Sequence, residues 1–169
     1  LDVIETSGAQ GVLLLLLGQD AVVFNREFAS RGLSRDLVRL SPLIDANMLL
    51  AGGEGTSDRL YSVSGFFERL TTGHSLDFGG RYARRFGAVA PPLTAPGESW
   101  YEGVRLLAEL SGKSGTADVA GLSRQAEFVF DYDSPRGRVR FERHHLAQDV
   151  YVAVADAMEF DVVAQVAST

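Results

Sequence analysis

Apolar residues fill every position from Val12 to Leu17 in Gly11-Val-Leu-Leu-Leu-Leu-Leu-Gly18. A strand with one wet face alternates polar and apolar residues, so an unbroken run predicts a central, parallel strand covered on both faces. From Asp20 to Gly32 the apolar period becomes helical, with Val23, Phe24 and Phe28 on one stripe and Gly32 as terminator. Leu37 to Leu40 reads as a second strand broken by Ser41-Pro42, and Asp45 to Ala51 as a short helix closed by Gly52-Gly53. Leu60-Tyr-Ser-Val-Ser-Gly65 alternates apolar and small polar side chains and predicts a third strand. Strand and helix thus take turns, the signature of an α/β layer structure.

Past Thr71-Thr72-Gly73 the pattern is helical again. Phe78, Tyr82 and Phe86 recur every four residues, Arg81, Arg84 and Arg85 lie off their face, and Gly87 ends the helix. Pro91-Pro92 and Pro96-Gly97 mark a loop. Trp100, Val104, Leu107 and Ala108 then outline the core-facing stripe of another helix, and Asp118 to Gln125 a shorter one. The tail is β-rich: Phe128 to Phe130, Gly137 to Phe141 and Val150 to Val154 predict strands, with Asp133 to Gly137 as a turn and Phe160 to Val163 as an added edge. At the other end, Leu1 to Ser7 reads as the last turn of a helix, and the native chain is expected to be longer.

Composition narrows the functional classes. The chain has 169 residues, 46% of them hydrophobic, enough for a buried core. Against 16 Lys and Arg stand 22 Asp and Glu, a net charge of -6 that opposes nucleic acid and anionic membrane as partners. With no cysteine there is no disulfide and no thiolate metal site. His144 and His145, read as neighbours on a strand, point to opposite faces and are not expected to hold one metal. The common phosphate-loop, zinc-hydrolase and serine-hydrolase motifs are missing, as is any nucleophile, base and orienter triplet in recognisable spacing, so no enzyme and no cofactor is expected.

The candidate chemistry sits where strands end. Gly18-Gln19-Asp20 joins the apolar strand to a helix N-terminus, the edge of an open α/β sheet at which ligands bind. Gln19 can exchange hydrogen bonds with a polar solute there, while Asp20 fits a helix cap better than a ligand contact. Ser41-Pro42-Leu43 occupies the matching edge of the second strand, either facing the same crevice or simply ending the strand. Ser62, Ser64 and Gly65 are small enough to admit a ligand, or are merely a packed strand. Tyr101, beside Trp100, can roof a small-solute pocket or pack in the core.

Several stretches together resemble the branched-chain amino acid, amide and urea branch of the type I periplasmic solute-binding proteins. They are Ser7-Gly8-Ala9, Gly18 to Ala29, Gly32-Leu33, Leu60 to Phe67, Phe78 to Phe86, Trp100 to Val104, Gly137-Arg-Val139 and His145 to Tyr151. The resemblance implies three-layer α/β lobes of that fold, present as a partial chain: residues 1–66 in lobe two, 67–149 in the C-terminal part of lobe one, and 150–169 as return strands to lobe two. It also implies a ligand held between the lobes, with Gln19 and the turn Ser41, Pro42 and Leu43 on the lobe-two wall and Tyr101 near the hinge on lobe one; Asp20 and Ser64 are candidate contacts from their own places beside the strand ends. Amino-acid receptors of the family hold the ammonium with a carboxylate near the position of Pro42. That carboxylate is lacking here, which favours an uncharged amide or urea over an α-amino acid. The resemblance implies an extracytoplasmic receptor, with a small polar solute and an ABC permease complex as partners. The second reading it supports is a cytoplasmic amide-sensing regulator acting through an antitermination partner. Homodimer formation belongs to either; direct nucleic-acid binding and membrane insertion to neither.

Overall fold

The computed structural model describes residues 1–168. Helix α1 (Asp2–Thr6) is little more than one turn, and strand β1 (Gly11–Leu13) follows. Then come α2 (Gly18–Ser30), β2 (Val38–Ser41), α3 (Ala46–Gly52) and β3 (Leu60–Ser64). Helices α4 (Gly73–Phe86), α5 (Ala95–Ser114) and α6 (Val119–Gln125) precede a run of strands: β4 (Phe130–Ser134), β5 (Gly137–Glu142), β6 (His145–Ala147), β7 (Val150–Asp156) and β8 (Glu159–Val166). No helix is long and apolar enough to cross a membrane among these residues.

Two sheets result. The larger has the order β1-β2-β3-β7-β8, parallel through β1, β2 and β3 and antiparallel from β3 onward. The smaller is the meander β4-β5-β6. The chain leaves the larger sheet after β3, builds α4 to β6, and returns through Gln148 and Asp149 into β7, so the two sheets are joined by two crossing segments. Because the three parallel strands run the same way, Ser41 and Ser64, the last residues of β2 and β3, lie at one edge of the sheet, and Gly18-Gln19 comes after the stretch Leu14 to Leu17 that leaves β1.

Strand pleating divides the larger sheet into two faces. Leu14, Arg39, Ser41, Leu60, Ser62, Tyr151, Ala153 and Ala155 are buried, whereas Leu13 and Leu40, paired across β1 and β2, are exposed. The apolar run is therefore not the doubly covered inner strand that its composition predicts. β1 is an edge strand of three residues, and Leu13, Leu15 and Leu17 stand 63%, 64% and 61% exposed. Apolar composition does not record which neighbours a strand will have, and nothing in residues 1–168 covers Leu13, Leu15 and Leu17.

The covered face holds an unusual member. Arg39 is fully buried, stacked 4.7 Å from the Phe28 ring centroid. Its guanidinium donates to Asn25 Oδ1 at 2.5 Å, to the Asp58 carbonyl at 2.6 Å and to Ser34 Oγ at 3.3 Å. Burial lowers its pKa to about 10, with Asp58 acting the other way. The neutral acceptors and the ring tie α2, β2 and the loop before β3 together.

One contiguous apolar cluster links the larger sheet to the helices beyond it, running from Leu14, Ile44 and Leu60 through Phe66 and Phe67 to Phe78 and Leu93. Phe66 meets Phe78 of α4 edge to face at 6.1 Å, and Phe67 meets Phe160 of β8 at 5.5 Å. Helix α5 departs from expectation: Trp100, Val104 and Leu107 are exposed, and Glu98 and Glu102 face inward. Phe128 and Val129 lie outside the strands, since β4 begins at Phe130. Truncating Phe66 removes an aromatic anchor at the junction of the two units. Phe66→Ala is expected to cost about 3–5 kcal/mol of unfolding free energy, and urea denaturation followed by tryptophan fluorescence and circular dichroism checks it.

Candidate functional site

Two adjoining cavities share the segment Pro92, Leu93 and Thr94. The first, about 260 Å³, lies between the start of α3 (Ile44, Asp45, Ala46 and Leu50) and the chain from Ser64 to Arg69, and Met158 to Phe160 complete it. The second, about 570 Å³, lies between α4 and α5 and is walled by Phe78, Tyr82, Phe86, Pro91 and Tyr101, with Asn47 of α3 contributing from the larger-sheet unit. Local sequence sets these walls. Asp45 caps α3 by accepting from the Met48 amide at 3.1 Å, and Thr94 caps α5 by accepting from the Gly97 amide at 3.3 Å. Pro96 fits the first turn of α5, where its missing N–H is harmless.

Of the residues singled out in the sequence, the structure brings Ser64 and Tyr101 to these cavities, one to each. Tyr101 is partly buried, tilted over Phe78 at 4.7 Å, and its hydroxyl accepts from Arg81 Nη1 at 3.1 Å and Arg105 Nη1 at 3.5 Å. The Arg105 hydrogen bond, with help from Arg81, lowers the phenol pKa. Ser41, Pro42 and Leu43 stop short of both cavities. The buried Ser41 hydroxyl accepts from the Leu43 amide at 3.1 Å, closing the turn that delivers Ile44 to Asn47 to the walls. Ser62, also buried, donates to the Ile44 carbonyl at 2.8 Å and fixes the same turn.

Gln19 and Asp20 are exposed in the first turn of α2 and line neither cavity. Asp20 is not the expected cap: Leu17 occupies that position and no side chain bonds to the helix end, so Asp20 contributes only its charge to the first turn. His144 and His145 do not share a strand. His144 lies at φ 67° in the turn before β6, facing Glu127 at 2.9 Å, and His145 Nδ1 lies 2.8 Å from the Arg143 carbonyl oxygen. Among the described residues no group of three metal-binding side chains converges.

Sequence reasoning missed two features. One is the basic and aromatic character of the larger cavity. Phe78, Tyr82 and Phe86 form a stripe of which only Phe78 is buried, and Arg81 and Arg85 border the same space. The signal was present: guanidinium and aromatic groups sharing one helix ahead of Pro91-Pro92. The other is a buried polar cluster where the chain crosses between the units. Arg136, in the turn between β4 and β5, donates through Nε and Nη2 to Glu98 Oε2 at 2.8 and 2.6 Å. Its Nη1 donates to Gln148 Oε1 at 3.0 Å and its Nη2 to Ser99 Oγ at 2.8 Å. Glu102 accepts from Gln148 Nε2 at 2.7 Å, from the Tyr132 hydroxyl at 3.0 Å and from the Ser134 hydroxyl.

Both crossing segments touch this cluster. Gln148 belongs to the return, and at Gly65, on the outward crossing, an added Cβ would lie 2.1 Å from Arg136 Nη1. Glu98 is fully buried with Oε1 unpartnered, and burial pushes its carboxyl pKa up against the opposing pull of Arg136. Nothing in the sequence announces pairings across 38 residues; only helical spacing of Glu98 and Glu102 placed them on one face.

The chain matches the family model described as "Periplasmic binding protein" over residues 1–159. The chain belongs to that family. No curated protein matches it in sequence at a significant level. Among solved structures it is similar to an amino acid ABC transporter substrate-binding protein from Pseudomonas fluorescens Pf-5, with a TM-score of 0.82 and 15% identity, covering 99% of this chain and 47% of that one. It is equally similar to a solute-binding protein of an ABC transporter from Rhodopseudomonas palustris BisB5 in complex with 3,4-dihydroxybenzoic acid, with a TM-score of 0.82, 18% identity and coverage of 99% and 47%. A branched-chain amino acid transporter substrate-binding protein from Streptococcus pneumoniae in complex with isoleucine gives a TM-score of 0.74, 14% identity and coverage of 96% and 47%. The chain thus spans about half the length of the structures it matches, and the expectation of a partial type I periplasmic-binding-protein fold holds. The family and these relatives are solute-binding proteins rather than enzymes.

The Glu98 carboxyl carries a pH signature. The fold holds its proton more tightly than the unfolded chain does, so the stability this gives is fully present below the ordinary carboxyl value of about 4.5 and is lost as pH rises through the higher folded value. Glu98→Gln is expected to flatten the fall of melting temperature with pH above about 4.5, as followed by thermal unfolding in a pH series. An unchanged slope would show that the carboxyl does not contribute.

Proposed function

We propose that the protein carrying this chain is the solute-binding component of an ABC importer, working outside the cytoplasm in the periplasm or as a surface lipoprotein. It receives a small polar metabolite between two hinged lobes and presents it to the permease. In this reading residues 1–66 and 150–169 belong to lobe two and residues 67–149 to lobe one, a division supported by a larger sheet built from β1 to β3 with β7 and β8 and a smaller one from β4 to β6. The observation that carries the reading is the joint walling of the larger cavity. Asn47 comes from the unit of the larger sheet, and Phe78, Tyr82 and Tyr101 from the other, so movement of one unit on the other opens or shuts the space.

Ser64 and Tyr101 are the candidate contact residues from the sequence that also border the cavities. Amides, urea and branched-chain amino-acid-like solutes make the starting panel, and the relatives crystallised with isoleucine and with 3,4-dihydroxybenzoic acid extend it to amino acids and aromatic acids.

Calorimetric titration of the intact protein against acetamide, urea, leucine and hydroxylated benzoates tests the proposal. One class is expected to bind saturably and to raise the melting temperature. Tyr101→Ala, which opens the cavity wall, is expected to weaken that binding about tenfold or more, on the order of the 1.4 kcal/mol that a lost aromatic contact represents. Absence of binding by every solute would remove the receptor reading.

A further inference from the structure

The larger cavity carries more information than its size. Its surface is mostly aromatic and prolyl, from Phe78, Tyr82, Phe86, Tyr101, Pro91 and Pro92. The walls are held in place from behind. The Tyr82 hydroxyl donates to the Pro91 carbonyl at 2.9 Å, Tyr82 packs against Phe86 at 4.9 Å, and Tyr101 leans on Phe78 at 4.7 Å. Preformed aromatic walls of this kind suit a flat, apolar body that stacks or meets ring edges.

Charge at the cavity is one-signed. Arg81 and Arg85 both line it, and no Asp or Glu does. Arg81 is engaged, its Nε 2.9 Å from Asp77 Oδ2 and its Nη1 donating to the Tyr101 hydroxyl. Arg85 makes no hydrogen bond or ion pair among the described residues, and its guanidinium carbon lies 5.7 Å from the Phe86 ring centroid. An unpaired guanidinium beside an apolar slot is matched by a carboxylate, which it grips through two parallel N–H donors. An ammonium would meet two like charges and no acceptor anion. Asn47 and the Thr94 hydroxyl supply the neutral polar groups at the slot.

We propose that this cavity takes a planar aromatic monocarboxylate, its ring between the α4 and α5 aromatics and its carboxylate on Arg85, with Asn47 and Thr94 available to a ring hydroxyl. The assignment rests on the solute-receptor reading and narrows it to one ligand class. It separates the site from a receptor for zwitterionic amino acids, which needs a carboxylate for the ammonium, and from one for neutral amides, which gain a neutral hydrogen bond from the guanidinium but not the two-donor, charge-assisted pair.

The test uses the intact protein and three probes of similar size: 4-hydroxybenzoate, its neutral counterpart 4-hydroxybenzamide, and leucine. Calorimetry is expected to give benzoate binding at least about tenfold tighter than benzamide, as a charge-assisted pair implies, and no leucine binding. Arg85→Gln, at an exposed side chain whose loss leaves the core intact, is expected to reduce the acid-over-amide preference about tenfold. Circular dichroism and melting temperature confirm that the variant is folded. Tight binding of leucine, acetamide or urea without benzoate would overturn this assignment and leave the receptor reading standing. A preference unchanged by Arg85→Gln would overturn the placement of the carboxylate. Failure of every solute would overturn both.

Discussion

The arrangement of the molecule depends on the Arg136 guanidinium, which lies 12% exposed at the crossing between the two sheets with Glu98 and Glu102 beside it. A buried cation is tolerated only where its donors are matched, and here Glu98, Ser99 and Gln148 match them. Each partner lies on a different part of the chain: Glu98 and Ser99 on α5, Arg136 in the turn between β4 and β5, and Gln148 on the return to the larger sheet. Two carboxylates around one guanidinium leave the cluster one negative charge in excess, consistent with the raised proton affinity of Glu98. Gly65 completes the junction, because only a residue without a side chain lets the outward crossing pass so near Arg136.

The cavities follow from that junction. Once the crossings fix α5 relative to the larger sheet, the Thr94 cap and the Pro91-Pro92 segment set the gap between α4 and α5. The Ser41 turn, held by Ser62, brings the first turn of α3 to the same place. Arg39 secures the opposite part of the sheet by joining α2, β2 and the approach to β3. Both arginines are structural in the same sense. Each gathers acceptors from distant segments, Arg39 a backbone carbonyl among them and Arg136 side chains alone, and each is costly to bury unless they arrive together.

Two apolar surfaces stand apart from the core. Leu13, Leu15 and Leu17 occupy one, and on α5 Trp100, 80% exposed, leads Val104 and Leu107 along the other. In both places the pattern of hydrophobic positions predicted burial, and the structure leaves these side chains exposed. For β1 the run could not say how many neighbours the strand has. For α5 the stripe was taken to face the core, but the cluster around Arg136 draws Glu98 and Glu102 inward and turns that stripe outward. The aromatic residues of α4 show a milder form of the same effect, with Phe78 in the core and Phe86 at the cavity.

By itself the sequence determined the alternation of strand and helix, the caps and breakers that bound α3, α4 and α6, and the α/β class, because these depend on residues within a few positions of one another. Two of its candidates, Ser64 and Tyr101, border cavities, since parallel strand ends and helix starts are local marks. The tertiary structure alone decided that β1 is an edge, that Leu17 rather than Asp20 takes the cap position of α2, that the Ser41 hydroxyl closes its own turn, and that Arg81 and Arg85 border the larger cavity. Burial, charge pairing and cavity shape are set by contacts between segments tens of residues apart, and spacing along a chain carries no record of which distant partner will satisfy a buried charge.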